Sequence, residues 1–173
     1  LKTADLKIRD IQGDGHYSDY EGVVVNEIQG VVTHLYNSAN FVIQDINPDN
    51  DLTTSEALMV NMSSNGVSVG DLVTVAGTVE ENFQEGYSDM SDNDLPITRI
   101  RATAVAKDGT AALPAPIVIG VDVFPPSEII DNDGLTSFDP AEDGIDFWES
   151  LELMYLAVPN AKIVDLRNTA KWS

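Results

Sequence analysis

Cysteine is absent, so the chain has no disulfide scaffold, no thiolate nucleophile and no cysteine zinc site. That absence suits a bacterial secreted protein and a cytosolic one equally. Basic residues are scarce. Nine Lys and Arg stand against 29 Asp and Glu, a net charge of −20, which repels phosphate backbones at long range and attracts divalent cations. A simple DNA-binding module leans the other way. No apolar run is long enough to cross a membrane as a helix. The opening Leu1-Lys2-Thr3-Ala4-Asp5 has no signal-peptide character, so any such signal is expected to have been removed or to lie outside this sequence.

Histidine is nearly absent too. His16 falls in the turn-rich stretch Gln12–Asp19 and reads as a solvated loop residue, whereas His34 falls in a strand and reads as a satisfied structural histidine. Two His, no Cys and no activated-Ser motif exclude a nucleophilic triad. A phosphate-cradling Gly-rich loop is missing as well. Carboxylate pairs abound, but a chain this acidic makes them by chance. The sequence therefore presents no active site.

What is present is a set of short alternating segments. Residues 21–36 are nearly continuous β, with Ile28, Gly30 and Val32 on one face by the two-residue period. The pattern returns as Val73, Val75, Gly77 and Val79. A glycine in the middle of an inward face lets a long strand bend, which suits a small closed barrel. Phe41 and Ile43 alternate with Val42 and Gln44, and Leu58, Val60 and Met62 with Met59 and Asn61. A fifth strand is expected over 97–105, with Arg99 and Arg101 opposite Ile100, Ala102 and Ala104. The fold class expected is all-β: a five-stranded OB-type (oligonucleotide/oligosaccharide-binding) Greek-key barrel with a short C-terminal helix and extra strands. Its buried set is Ile28, Val32, Phe41, Ile43, Val60, Val73, Val75 and Val79.

Four regions follow: an N-terminal extension at 1–20, the barrel at 21–108, a proline-marked connection at 109–138, and a helix plus strands at 139–173. The extension carries a short alternating segment, Leu6–Ile11. Asp139 is placed as the cap of the C-terminal helix, Pro140 at its first position, and Phe147, Trp148 and Leu151 on its apolar side. Strands are expected at 154–158 and 161–164. The second has no later partner, so the chain is expected to continue past Ser173.

The most distinctive stretch is the twelve-residue run Asp45–Glu56. Asp45, Asn47, Asp49 and Asp51 occupy its first, third, fifth and seventh places, Thr53 the ninth and Glu56 the twelfth. Hard oxygen ligands at this spacing suit calcium. Short apolar runs on both sides make the loop a β-hairpin tip instead of a helix–loop–helix. Asn50 stands where the sharp turn usually takes glycine. An acidic hairpin tip that binds nothing is the competing reading. Candidate nucleic-acid contacts are Tyr36, Tyr87, Arg99 and Arg101, with pairing to nearby acids the plainer account of the two arginines. Phe41 is placed in the core. Trp148 and Trp172 offer no obvious aromatic platform for carbohydrate.

Several motifs, in this order, resemble one family. Ile8-Arg9-Asp10-Ile11-Gln12-Gly13, Gly30-Val31-Val32-Thr33 and Phe41-Val42-Ile43-Gln44-Asp45 come first. The acidic run ending Thr54-Ser55-Glu56, Val69-Gly70-Asp71-Leu72-Val73 and Gly77-Thr78-Val79 follow. Asp143-Gly144-Ile145-Asp146-Phe147-Trp148-Glu149-Ser150-Leu151-Glu152 closes the set, with Leu153 where the family has glycine. Together they resemble the region preceding the catalytic domain in secreted bacterial nucleases of the endonuclease/exonuclease/phosphatase family. The resemblance implies an extracellular, non-catalytic OB-fold module that positions or binds nucleic acid beside a downstream catalytic domain. DNA affinity of the chain itself is expected to be weak, and at most modest with calcium. The alternative is a calcium-stiffened structural spacer or interaction domain with no substrate contact. An acidic, closed face over the second and third strands would favour that spacer.

Overall fold

The computed structural model describes residues 5–49, 51–83 and 95–162. Five strands close into a barrel: β1 (Val24–Leu35), β2 (Asn40–Gln44), β3 (Ala57–Asn61), β4 (Asp71–Asn82) and β5 (Ile97–Thr110). Their order around the barrel is β1-β2-β3-β5-β4, with β4 closing back on β1. All neighbours are antiparallel except β3 and β5, which run parallel. This is the OB topology expected from the sequence. All eight residues placed in the core are fully buried.

Two glycines make the closure possible. A Cβ on Gly77 would press into the β5 backbone, 2.7 Å from Ala102 Cα, where the β4–β5 register shifts. A Cβ on Gly30 would lie 3.0 Å from Ile43 Cβ and 3.2 Å from Ile8 Cδ1. Gly30 thus makes room both for the bend and for a plug. The plug is α1 (Ile8–Gln12), where alternation had suggested an extended segment. Ile8 and Ile11 are three apart, so a helix turns both onto one face. Both are fully buried and belong to the barrel core. Asp10 Oδ2 accepts the Lys7 N–H at the helix start (2.7 Å).

Beyond the barrel, β6 (Ile117–Val118) pairs parallel with β7 (Leu156–Ala157), and α2 (Gly144–Glu149) lies between them in sequence. Val123, Phe147 and Leu151 form a second, smaller core. Three expectations change here. The helix begins later, because Asp143, not Asp139, accepts the Asp146 N–H as its cap. Asp139 heads the preceding turn, accepting at Oδ1 from Ala141 N–H. Trp148 is half exposed, leaving Phe147 and Leu151 as the apolar anchors. The strand expected at 154–158 shrinks to two residues, while that at 161–164 falls largely outside the described residues.

The histidines exchange roles. His34 is exposed on β1. His16 is largely buried, its Nε2 2.6 Å from Asp146 Oδ1 and its ring edge-on to Phe138. Among the described residues no helix is long and apolar enough to cross a membrane.

Candidate functional site

The Asp45–Glu56 run is the tip of the β2–β3 hairpin, closed by Asp45 N–H donating to Glu56 O (2.9 Å). Its short acidic side chains organise the backbone. Asp45 Oδ1 accepts from Asn47 N–H, Asp49 Oδ1 from Asp51 N–H, and Asp51 Oδ1 from Thr53 N–H and its hydroxyl. Each aspartate thereby builds a turn two residues on. The two ends of the run are the surprise. Asp45 is 5% exposed and Glu56 only 2%.

A buried carboxylate is costly unless paired. The partner is Arg9, projected from the plug helix. Its Nε lies 2.9 Å from Asp49 Oδ2 and its Nη1 3.3 Å from Glu56 Oε1, which also accepts Asp49 N–H (3.1 Å). Burial works against the Arg9 charge, but Glu56 and Asp49 outweigh it and raise its pKa. For Glu56 burial is the larger influence, and its pKa is raised despite the Asp49 N–H and Arg9. Glu56 Oε2 is buried and has no hydrogen-bond partner. No three of the carboxylates at 45, 49, 51 and 56 bring oxygens within 4.8 Å of one another. The group that does so among the described residues is Asp131, Asp133 and Asp143. Those three were not singled out from the sequence; Asp131-Asn132-Asp133-Gly134 had read only as a turn. Asn50 lies outside the described residues.

Three of the four candidate nucleic-acid contacts lie among the described residues. Tyr36 is exposed at the end of the β1–β2 hairpin. Arg99 and Arg101 project together from β5 but converge on Glu80 of β4. Arg99 Nη2 is 3.0 Å from Glu80 Oε2, and Arg101 Nε donates to Oε1. Burial alone would raise the Glu80 pKa; hydrogen bonds from Arg101 and then Arg99 outweigh it and lower it. Tyr87 lies outside the described residues.

In OB folds the outer face of the second and third strands takes the ligand. Here that face is shut. Val42 and Gln44 on β2 are each 3% exposed, and Ala57 and Met59 on β3 0% and 5%. They point away from the barrel core, so other parts of the chain cover them. Three hydrogen bonds tie this end of the hairpin to the C-terminal segment and the plug. Tyr155 N–H donates to Gln44 Oε1 (2.9 Å), Ser55 Oγ to Glu152 O (2.6 Å), and Gln12 Nε2 to Ala57 O (2.6 Å). An open groove of about 590 Å³ runs between the hairpin tip and the second core, past Leu52, Phe124, Phe138 and Leu151. Its lining is mainly apolar.

Sequence reasoning also missed a seam of acids. Glu81 of β4 meets Asp146, Glu149 and Glu152 of the C-terminal segment. Glu81 accepts from Ser18 N–H (2.6 Å) and the Thr98 hydroxyl (3.2 Å), and Glu152 Oε2 from Gln12 Nε2 (3.1 Å). Glu152 Oε1 is buried without a partner. The Glu149 pKa is raised to about 8, chiefly by burial and then by Glu81 and Asp146. That of Glu152 is raised well above the usual range, by burial and then Glu149. Glu81 is raised by burial against its hydrogen bonds.

A family described as a domain of unknown function (DUF8508) matches residues 118–172, about a third of the chain and outside the barrel. No curated protein sequence matches. Two solved structures overlap about half of the chain. A small single-stranded DNA-binding protein from Streptomyces coelicolor is 21% identical, with a TM-score of 0.37 over 52% of this chain and 98% of its own. The hypothetical protein ygiW from E. coli is 17% identical, with a TM-score of 0.33 over 50% of this chain and 76% of its own. The fold that this chain's own strand order establishes is the OB barrel, here plugged at one end by α1 and shut on its usual ligand face.

Proposed function

We propose that this chain is a non-catalytic OB-fold positioning module of a larger secreted protein, a spacer and docking unit in place of a nucleic-acid grip. The observation that carries this reading is the closed outer face of β2 and β3, where Val42, Gln44, Ala57 and Met59 have almost no exposure. Base stacking needs exposed aromatics beside unpaired cations. Arg99 and Arg101 instead share Glu80. The net charge of −20 opposes the counterion release that drives DNA binding. The nuclease-like motifs spread over residues 8–152 supply the parent: a secreted nuclease or related phosphoesterase whose catalytic domain lies downstream.

Calcium in the hairpin tip is a second element of the proposal, held by Asp45, Asn47, Asp49, Asp51, Thr53 and Glu56. The unpartnered Glu56 Oε2 favours it. Arg9 already supplies a positive charge there, so the ion would compete with a resident guanidinium.

Fluorescence anisotropy with labelled single- and double-stranded DNA, at physiological salt with and without calcium, tests the main reading. No saturable binding is expected. Salt-dependent binding in the nanomolar range would overturn it and would make Arg99, Arg101, Tyr36 and Tyr87 the contacts to mutate.

A further inference from the structure

Four carboxylates meet where the C-terminal segment lies on the barrel, and no Lys or Arg among the described residues pairs with any of them. Glu81 comes from β4; Asp146 and Glu149 come from α2, and Glu152 from the turn after it. Around them stand His16, paired with Asp146; Glu21, whose charge acts on Glu81; and the neutral donors Gln12, Ser18 and Thr98. Asp146 is satisfied: it receives His16 Nε2 and the Asp139 N–H (2.5 Å). Glu81 is satisfied by Ser18 and Thr98. Glu149 and Glu152 have no cation, and one oxygen of Glu152 is sealed from solvent without a partner. The backbone carbonyl of the same Glu152 accepts from the Ser55 hydroxyl, three residues before Tyr155 reaches Gln44. The carboxyl that lacks a partner therefore sits on the segment that is hydrogen-bonded to the hairpin end of the OB face.

We propose that this seam is a proton-operated latch: the C-terminal segment stays docked on the barrel while Glu149 and Glu152 are protonated and loosens as they ionise. The inference rests on the closed-face reading above and deepens it, because release of the latch uncovers Gln44 and Ser55 at the hairpin end of that face. Burial and mutual repulsion favour the neutral acids when the segment is docked. Once it lifts away, both groups return to ordinary carboxyl behaviour in water. A group whose docked pKa lies above its free value holds the docked state fully below the free value and loses that hold as pH rises through the docked one. For Glu149 the window runs from about 4.5 to about 8. Within it the docking constant falls up to tenfold per pH unit for each linked carboxyl.

The experiment follows the backbone amide resonances of Tyr155, Thr98 and Ser55 by heteronuclear NMR on the full chain, from pH 5 to 9 in the presence of a chelator. Wild type, Glu152→Gln and Glu149→Gln are compared. The latch predicts that the three amides move together in wild type as pH rises, and that each Gln variant shifts the midpoint upward by a pH unit or more. Amides that stay docked and unchanged across the range would overturn the latch and leave the closed-face reading intact. An undocked segment at every pH would sink both. A transition identical in all three proteins would refute the assignment to Glu149 and Glu152. Were millimolar calcium to hold wild type docked at pH 9 while Glu152→Gln no longer responded, the seam would be a cation site and not a proton latch.

Discussion

Two acidic clusters tie the plug and the C-terminal segment to one barrel, and they handle their charge in opposite ways. In the hairpin tip, Asp49 and the buried Glu56 receive a guanidinium from the plug helix. In the seam, Glu81 and Glu152 receive only neutral donors, and burial with mutual repulsion raises the carboxyl pKa values, that of Glu149 to about 8. A buried carboxylate has two routes to neutrality in the absence of a bound ion: a paired cation or a proton. The first makes a junction held by an ion pair. The second makes one that responds to pH.

The sharpest way to break this contrast is to remove the cation. Arg9→Met leaves Glu56 buried with its charge unpaired, and is expected to destabilise the fold by about 2–3 kcal/mol, less than for a fully buried pair because Arg9 is partly exposed. Urea denaturation at pH 7 measures it. Adding Glu56→Gln to Arg9→Met should restore most of the loss, and a double variant no more stable than Arg9→Met would contradict the pairing.

Next in size is the seam. Stability attributable to Glu149 should be fully present below about pH 4.5 and decline until about pH 8. Glu149→Gln should therefore gain about 1–2 kcal/mol on wild type at pH 8.5, below the full linkage value because the side chain still reaches solvent. The two proteins should match at pH 5. Equal stability curves across that range would remove the proton from the account.

Calcium probes the same contrast from the ligand side. Saturating the hairpin tip should raise wild-type stability by about 1 kcal/mol by mass action, with magnesium weaker, and Asp49→Ala should lose the shift. Arg9→Met should show a larger calcium response than wild type, since no guanidinium competes. Thermal scans with titration calorimetry decide it; no heat and no shift at millimolar calcium in either protein would leave the loop as an acidic tip. The smallest effect belongs to an exposed pair of ordinary kind. Arg101→Ala should cost about 0.5 kcal/mol, as surface ion pairs do.

The barrel was legible in the sequence because each strand states its inward face every second residue, and because Gly30 and Gly77 mark where a side chain cannot fit. The hairpin tip was legible for the same local reason: Asp45 to Glu56 is one continuous run. The plug was not. Leu6, Ile8 and Ile11 satisfy alternation at the first step and helical spacing at the second, and only docking into the barrel decides between them. The helix cap at Asp143 was hidden by an equally plausible Asp139 four residues earlier. Contacts between distant residues were out of reach altogether. Gln12 meets Glu152 across 140 positions and His16 meets Asp146 across 130, and no local pattern announces either. Arg9 was named only as part of a motif, because nothing local shows that it reaches Asp49.

The central claim is that the C-terminal segment is docked on the barrel at the hairpin end of its usual ligand face. Amide hydrogen exchange on the full chain at pH 6 tests it most directly, read at Tyr155, whose N–H donates to Gln44 Oε1, and at Ser150, whose N–H closes the end of α2. The account predicts slow exchange at both, well below the intrinsic rate and responsive to Glu152→Gln as pH rises. Exchange of Tyr155 at the intrinsic rate, with the strands β2 and β3 still protected, would show an open face and contradict it.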